Sequence, residues 1–367
     1  MIYFDAAATT LQKPMSVYPS VLKAMQTNAS VARGGYLAAQ SAAQTVFSCR
    51  QAAAELFDAQ TEQVAFTMNA THGLNIAIGT LVNEGDLVVV SGFEHNAVMR
   101  PLYAKNAKIL VAGEHLFDPE NTLEAFDAAL KKRPAAAICT HCSNVFGYIL
   151  PIEKIAELCQ SYGVPLIIDA SQSAGILPLS LKNTRADFIA MPGHKSLYGP
   201  QGTGILLCAN GAKPLLYGGT GSNSADALMP DFLPDRLEAG THNVCGIAGL
   251  LAGLRYVKKR SPKAIMEHEC RLRTLLAGQM EHVRIFTGNA QSGVLSFVPK
   301  DMDCESFASA LAQKNIALRA GLHCAPLAHK SAGTFDTGTV RVSFSAFNTR
   351  QEVLQFAQIC KKLLQKT

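Results

Sequence analysis

The stretch Ala186-Asp-Phe-Ile-Ala-Met-Pro-Gly-His-Lys195 ends a short apolar run with a lysine, and Gly199-Pro-Gln-Gly-Thr-Gly204 follows it. An apolar run of this length is typical of a buried strand, and the glycines indicate a tight turn. Desolvation lowers the pKa of a lysine amine, so Lys195 could be a nucleophile that binds an aldehyde. A lone lysine at such a place is more often a surface residue, so the rest of the chain decides between the two.

The same alternation of apolar runs and helical patterns extends outward over residues 60–208. We predict strands at Val64–Thr67, Leu87–Ser91, Lys108–Val111, Ala135–Thr140, Pro165–Asp169, Asp187–Ala190 and Gly204–Cys208. Helical patterns lie between several of them, at His95–Asn106, Pro119–Lys132 and Pro151–Tyr162. This order predicts an α/β fold with a mostly parallel sheet covered on both faces, and a ligand site at the carboxyl ends of its strands.

The pattern changes after Asn243. A helix at about Gly246–Lys259 leads into a second at Pro262–His282, and shorter elements follow as far as a last helix that begins at Thr349. We predict a smaller α+β domain here. The segment Leu216–Gly240 is rich in Gly, Ser, Asp and Pro and has no period, which indicates a long functional loop or a subunit contact.

The composition describes an ordinary soluble protein. The 367 residues carry a formal net charge of +5 with scattered Lys and Arg, so we expect neither nucleic-acid nor membrane binding. The N-terminus lacks the pattern of a signal peptide, and no apolar run reaches the ~18 residues of a membrane span. We therefore expect a cytoplasmic protein whose ten cysteines are free thiols.

Two further features follow predicted strands. Val64-Ala-Phe-Thr-Met-Asn-Ala-Thr-His-Gly73 leads into a helix, where free N–H groups near Ala70 and Thr71 form a phosphate site unless Thr71 is a simple N-cap. Asp169 ends an apolar strand and needs a cation if it is buried, whether a protonated pyridine nitrogen, an arginine or a metal; otherwise it is a solvated loop residue. Lys195 follows 26 residues later. An aldehyde-binding lysine, a carboxylate for a ring nitrogen and a phosphate turn are together what pyridoxal 5′-phosphate requires.

At this point the sequence resembles the class V aminotransferase branch of the fold type I pyridoxal phosphate enzymes, in particular the cysteine desulfurases. The resemblance runs from Tyr3-Phe-Asp-Ala-Ala-Ala8 to Arg341-Val-Ser-Phe-Ser-Ala-Phe-Asn-Thr349. It implies cofactor binding by Lys195, Asp169, Gln172, Ala70, Thr71, His95, His194 and Thr241. It also implies substrate binding by Arg341, Asn144, Ala7 and His323, catalysis by Lys195, Cys324 and His95, and no metal.

The segment Arg319-Ala-Gly-Leu-His-Cys324-Ala-Pro326 resembles the catalytic cysteine loop of the class II (SufS-like) desulfurases. The resemblance implies that Cys324 takes sulfur from L-cysteine as a persulfide, leaves L-alanine and passes the sulfur to an acceptor protein. His323 and Arg319 beside it could favour the thiolate. Arg341 is expected to clamp the substrate carboxylate through two hydrogen bonds.

The resemblance also predicts how the chain is divided into domains and how two subunits associate. An N-terminal segment, 1–15, would join the small domain and the active site, a large domain, 16–245, would bind the cofactor, and a small domain, 246–367, would carry Cys324 and Arg341. Glu238-Ala-Gly-Thr241-His-Asn243 resembles the motif whose threonine reaches the cofactor phosphate of a partner subunit. We therefore expect a homodimer with shared active sites.

The sequence departs from the family pattern in three places. Pro192 stands where the family has serine, Leu322 replaces the first histidine of the cysteine loop, and the glutamine before Pro326 is absent. The first change removes a hydroxyl and a backbone donor from the phosphate site. Three rival functions therefore remain: a lyase acting on L-selenocysteine, an aminotransferase or β-lyase in which Cys324 is incidental, and a catalytically silent sulfur-carrier scaffold.

Other cysteine and histidine residues have simpler interpretations. Cys139-Thr-His-Cys142 has the spacing of a metal or redox pair, but no second pair lies nearby, and we favour a structural role. His115, His268, His282 and His329 have no evident partner and are expected on the surface or in packing contacts.

Overall fold

The computed structural model describes residues 1–31 and 34–365. In chain order the strands are β1 (Ile2–Tyr3), β2 (Val64–Thr67), β3 (Leu87–Ser91), β4 (Lys108–Ala112), β5 (Ala136–Thr140), β6 (Leu166–Asp169), β7 (Phe188–Pro192), β8 (Gly204–Cys208), β9 (Val283–Phe286), β10 (Val294–Pro299), β11 (Ile316–Ala317), β12 (Arg319–Gly321) and β13 (Thr339–Ser343).

The α-helices are α1 (Val17–Thr27), α2 (Leu37–Phe57), α3 (Ala70–Leu81), α4 (Asn96–Ala104), α5 (Pro119–Leu130), α6 (Ile152–Tyr162), α7 (Leu181–Thr184), α8 (Val244–Arg260), α9 (Pro262–Ala277), α10 (Cys304–Ala312), α11 (Pro326–Ser331) and α12 (Arg350–Leu364). None of the helices in the described ranges is both long and apolar enough to cross a membrane.

Seven strands form the large sheet in the order β2-β8-β7-β6-β5-β3-β4. All neighbours run parallel except β8, which is antiparallel to both β7 and β2. Successive side chains of a strand point to opposite faces, so Val89 of β3 enters one apolar core and Val88 and Val90 enter the other. Helices α3 and α4 cover one face, and α2, α5, α6 and α8 cover the other. The predicted α/β fold with a mostly parallel sheet is confirmed.

The strand register brings the predicted site together at one edge of this sheet. Asp169 at the end of β6 pairs with Ala190 of β7, and Pro192 at the end of β7 pairs with Gly204. Gly204 also pairs with Thr67 at the end of β2, so the turn into α3 lies beside the turn that carries Lys195. A side chain at Gly204 would come within 2.6 Å of the Thr67 hydroxyl, which explains why glycine is needed there.

A second sheet, of order β12-β13-β10-β9, is antiparallel throughout. Its apolar core combines side chains of α9, α10 and α12 with Ile2 and Phe4 from the N-terminus. This is the smaller α+β unit that the sequence predicts. Its N-terminal strand β1 pairs with β11 in parallel.

Helix α8 belongs with the large sheet by its packing. We expected it in the small domain, but Val244, Ile247, Leu250 and Leu254 lie in the core that also contains the apolar side chains of α2. We therefore propose that the boundary falls near Ser261, between α8 and α9, rather than at residue 245.

Candidate active site

Lys195 lies in a turn that the backbone closes tightly. Gly193 donates its N–H to the Thr203 carbonyl at 2.8 Å, and Tyr198 donates to the Lys195 carbonyl at 2.9 Å. The side chain is half-buried, and desolvation by burial lowers the pKa of its amine to about 8 against the opposing attraction of Asp169. A substantial fraction of the amine is therefore neutral near pH 8, as a nucleophile or base must be.

Asp169 is a buried carboxylate without a cationic partner. It is 2% exposed, and its Oδ1 accepts the Ser171 N–H at 2.9 Å. No residue in the described ranges forms a salt bridge with it. Burial of an unpaired charge is costly, so a protonated ring nitrogen placed here would supply the missing cation.

Asp169 and Lys195 share one open cavity of about 490 Å³. Its wall contains eight residues that the resemblance implicates: Ala70, Thr71, His95, Asn144, Asp169, Gln172, His194 and Lys195. The sequence-predicted residues outside this wall are Ala7, Thr241, His323, Cys324 and Arg341. The cavity therefore brings together all the predicted cofactor-binding residues except Thr241.

The phosphate turn is the N-terminus of α3. Asn69, and not Thr71, caps this helix, since its Oδ1 accepts the His72 N–H at 2.9 Å. The N–H groups of Ala70 and Thr71 have no partner within the helix, as for the first residues of any helix, and both residues line the cavity. The arrangement suits an anion such as a phosphate.

His95 immediately precedes α4, and its ring caps that helix. Its Nδ1 accepts the Ala97 N–H at 3.0 Å, and burial, more than any charge, lowers its pKa to about 4. The imidazole is therefore neutral and carries its proton on Nε2. It can donate a hydrogen bond or a proton from that nitrogen.

The N-terminal segment contacts the cavity from outside at two points. The Gln172 amide donates to the Ala7 carbonyl at 2.9 Å. His194 Nδ1 lies 3.0 Å from the Thr9 hydroxyl, and the His194 carbonyl accepts from Thr10 and from Lys13 Nζ. Burial lowers the pKa of His194 to about 4, so its ring is neutral.

Arg341 is buried on β13 and already has two partners. Its Nη2 lies 2.7 Å from Asp5 Oδ1, and its Nη1 donates to the Asn144 carbonyl at 3.0 Å. The Asn144 amide in turn donates to the His323 carbonyl at 2.8 Å. Asn144 thus links the cavity wall to the small domain, and the terminal nitrogens of Arg341 are less open than the sequence suggested.

Cys324 lies on a short turn before α11. His323 and Cys324 both adopt left-handed backbone conformations, with φ of 48° and 57°. Asn96, the first residue of α4, donates its N–H to the Cys324 carbonyl at 2.8 Å, which fixes the turn beside His95. All ten cysteines lie in the described ranges, and Cys324 is the exposed one among them.

His323 does not contribute a positive charge to that turn. Its ring is buried, its Nε2 lies 3.1 Å from the Thr339 carbonyl, and burial holds its pKa well below the usual range. We expected His323 to favour the thiolate; its neutral ring cannot do so electrostatically. Of the two residues we named, Arg319 is the one that carries a charge, and its salt-bridge partner is Asp5.

The other cysteine and histidine residues discussed from the sequence include Cys139, Cys142 and His329, and all three are buried. Cys139 and Cys142 are both buried, and burial raises the pKa of Cys142 to about 12. Across residues 1–31 and 34–365, no group of three or more His, Cys, Asp or Glu side chains is placed to hold a metal ion. His329, for which we named no partner, is buried with its Nδ1 2.8 Å from the Thr334 hydroxyl.

Thr241 lies in a different cavity, of about 740 Å³, together with His72 and Glu238. Glu238 anchors this segment, because its carboxylate binds Arg50 at 2.8 Å and His242 at 2.6 Å. Within one chain, Thr241 is therefore separate from the cavity that contains Lys195.

Two residues of the site escaped the sequence reasoning. Asp5 contacts Arg341 and Arg319, and Glu94 is fully buried with Oε1 accepting the Thr140 N–H at 2.7 Å. Asp5 stands inside Tyr3–Ala8, a stretch that carries the resemblance, and Glu94 immediately precedes His95, so their positions beside predicted site residues could have indicated both.

A lysine and a carboxylate at the ends of neighbouring parallel strands, beside a helix N-terminus, define a pyridoxal phosphate type of site on an α/β fold. The sequence matches the profile of the family Aminotransferase class-V over residues 2–356, and the chain belongs to this family. Pyridoxal phosphate is the cofactor of the family, and the unpaired Asp169, the Lys195 amine and the free N–H groups of α3 fit it.

Individual relatives point to one branch. A probable cysteine desulfurase of Pyrococcus abyssi is 30% identical over 380 residues, which cover 99% of this chain and 94% of the relative. The apo structure of the cysteine desulfurase of Thermococcus onnurineus NA1 is similar with a TM-score of 0.91 and 28% identity, covering 100% of this chain and 95% of that one. The cysteine desulfurase CsdA of Escherichia coli gives a TM-score of 0.86 and 26% identity, covering 99% and 94%.

Proposed function

We propose that the protein is a pyridoxal phosphate-dependent cysteine desulfurase. The observation that supports this most is Cys324, the exposed thiol of the chain, held by Asn96 next to His95 at the site. In the net reaction, L-cysteine and the Cys324 thiol give L-alanine and a Cys324 persulfide. The substrate C–S bond breaks, an S–S bond forms, and the substrate carbon gains a proton.

Bound pyridoxal phosphate supplies an electron sink for the substrate Cα. Lys195, with its lowered pKa, takes the Cα proton as a base. His95 packs at the cofactor site and donates from Nε2, because its Nδ1 is occupied by the Ala97 N–H. Asp169, which is buried, would hold the proton of the ring nitrogen in place.

The phosphate would be held by the N–H groups of Ala70 and Thr71, the Thr71 hydroxyl and His194. Pro192 offers neither a hydroxyl nor an N–H, so these groups would have to supply more of the hydrogen bonds to the phosphate. Gln172 would contact the ring oxygen, and Asn144, Ala7, His323 and Arg341 would position the substrate. These roles rest on the family resemblance and on the contacts described above.

We also infer a homodimer with shared sites. Thr241 lies outside the cavity of its own Lys195, as expected if it completes the site of a partner subunit. Apolar side chains are exposed around α1, namely Leu11, Met15, Tyr18, Leu22 and Met25, which is unusual for a monomer's surface. A sulfur-acceptor protein would approach the exposed turn of Cys324.

A reducing, cytoplasmic location would suit this chemistry. None of the ten cysteines forms a disulfide, and the nucleophile must remain a thiol between turnovers.

The test measures alanine and sulfide from L-cysteine with the purified holoprotein and a dithiol reductant. Cys324→Ala is expected to lose both products while it keeps bound cofactor. Cys245→Ala, which removes a half-buried thiol, is the matched control and should retain activity. Full activity of Cys324→Ala would remove Cys324 from the mechanism and favour the aminotransferase or β-lyase.

The same variants distinguish the selenium alternative. Selenium leaves carbon more readily than sulfur, so a selenocysteine lyase would still release selenide from L-selenocysteine after Cys324→Ala. A wild-type protein that binds no cofactor would instead point to the silent scaffold and contradict the proposed function.

A further inference from the structure

Asp5 occupies a position between two guanidinium groups, one of which, that of Arg341, contacts Asn144 of the cavity wall. Its Oδ1 lies 2.7 Å from Arg341 Nη2, and its Oδ2 lies 3.3 Å from Arg319 Nη2. Arg341 is buried, whereas the Arg319 side chain is 51% exposed. One carboxylate therefore bridges an inner and an outer arginine.

The position of Asp5 is fixed by the backbone. Residue Asp5 forms a parallel bridge with Ser343, two residues beyond Arg341, and β1 just before it pairs with β11. Ala7 donates its N–H to the Ser343 hydroxyl at 2.9 Å. The carboxylate is thus held against β13 rather than free to move with a loose N-terminus.

These three charges act on the reacting lysine. Arg341, Asp5 and Arg319 each shift the pKa of Lys195, and Arg341 also lowers the pKa of His95. Two positive charges and one negative charge leave one net positive charge. That net charge matches a ligand with one carboxylate.

One hydrogen-bond donor of Arg341 has no partner among the described residues. Its Nε is buried, and no described residue accepts a hydrogen bond from it. Because an unpaired buried donor is costly, a ligand carboxylate is a natural acceptor for it. Asp5 leaves this donor free while it occupies Nη2.

We propose that Asp5 is a specificity-determining residue that limits the site to amino acids with a single carboxylate and no acidic side chain. The negative charge of Asp5 neutralises one of the two arginine charges. A dianionic amino acid would therefore lack a second positive charge to bind its second carboxylate. Asp5 also orients the Arg341 guanidinium, so it is a positioning residue and not a catalytic one. The inference rests on the proposed function in taking α-amino acids as ligands and Arg341 as the group that binds their carboxylate.

The test compares the binding of L-alanine and L-aspartate to the holoprotein by calorimetry. These ligands differ by one carboxylate. For Asp5→Asn, we expect the ratio of the Kd for aspartate to the Kd for alanine to fall roughly tenfold, since one nearby charge in a partly solvated site has an effect of that order. Asp5→Glu keeps the charge and should restore the wild-type ratio.

Arg319→Gln gives an independent test, because it removes a positive charge from the partly exposed side of the cluster. It should raise the same ratio, by less than tenfold because Arg319 is solvated. A purely structural role of Asp5 would weaken both ligands alike and leave the ratio unchanged. If Asp5→Asn does not fold, Arg319→Gln still decides.

An unchanged ratio in the folded variants, or no binding of L-alanine to the wild type, would overturn the proposal. Because neither readout needs turnover, the outcome is separate from that of the desulfurase assay. Absence of desulfurase activity from the wild type, together with a shifted ratio in the variants, would leave Asp5 in its role and remove the proposed function.

Discussion

The two sides of the candidate site are built differently. On the large sheet, Asp169 and Lys195 follow buried strands and His95 caps a helix, so each group has a fixed place, and burial lowers the pKa of Lys195 and of His95. On the small domain, Cys324 lies on an exposed turn with two left-handed residues. The groups with a lowered pKa lie partly buried in the cavity wall, and the thiol that would meet another molecule lies at the surface.

The large-sheet side should tolerate substitution least. Lys195→Ala removes both the proposed covalent anchor of the cofactor and the proposed base, so alanine formation should fall by about 10³-fold or more. The measurement is steady-state alanine production together with the absorbance of bound cofactor. Lys182→Ala, an exposed lysine of α7, is the control and should behave as wild type. Activity within tenfold of wild type for Lys195→Ala would contradict the assignment.

The contrast in exposure predicts a contrast in thiol reactivity. Cys324 should react with iodoacetamide at least about 100-fold faster than Cys142, because only a thiolate that the reagent can reach is nucleophilic. Burial holds the pKa of Cys142 at about 12. Peptide mass spectrometry over a time course measures both rates in one sample. Comparable rates in the folded protein would show that the turn does not present Cys324 as described.

Asn144 connects the two sides, and its removal should loosen that connection. Asn144→Ala deletes the 2.8 Å hydrogen bond to the His323 carbonyl next to Cys324. One such bond contributes about 1 kcal/mol, so kcat/KM for L-cysteine should fall about fivefold, with cofactor affinity less affected. Asn183→Ala, on the surface of α7, provides the comparison. Equal kinetics of the two variants would exclude a linking role.

The smallest expected effect concerns Glu94, buried behind His95. Burial raises its pKa to about 8, so the folded state holds a proton that the unfolded state releases above its ordinary pKa of 4.5. Stability therefore falls as pH rises through this window. Glu94→Gln should abolish that fall, by about 1 kcal/mol between pH 7 and pH 8 relative to wild type. Urea titrations at the two pH values measure it, and parallel losses in both proteins would disprove it.

Much of the large sheet was predictable because its strands are short continuous apolar runs. The seven predicted strands agree with the observed ones within two residues, and Asp169 and Lys195 followed directly from where those runs end. The long loop over residues 216–240 was also recognised, and only a short 3₁₀ turn at Asp235–Leu237 interrupts it.

Helices α1 and α2 were not predicted. Helix α2 is rich in alanine, and the residue before it, Tyr36, offers no side-chain cap, so neither periodicity nor a start signal marks it. The predicted helix Pro262–His282 ends at Ala277, after which β9 begins at Val283 and pairs with β10. Such tertiary pairing is not encoded in local pattern.

The charge states around the site also depend on tertiary contacts. A histidine beside a cysteine suggests a cation, but the ring of His323 turns inward to Thr339 and loses its charge. Likewise, Asp5 and Arg341 are 336 residues apart in the chain, and only the parallel bridge of the N-terminus to β13 brings them together. Local sequence could not predict either contact.

The distribution of thiols has a consequence for a protein that handles reactive sulfur. Of its ten cysteines, seven are buried, two are half-buried and Cys324 is exposed. Sulfane sulfur moves readily between accessible thiols. A chain with many accessible thiols would therefore transfer sulfur among its own cysteines and form disulfides with other molecules. In the proposed function Cys324 is the exposed thiol that would carry the sulfur, so the sulfur would pass to another molecule rather than to a second cysteine of the same chain.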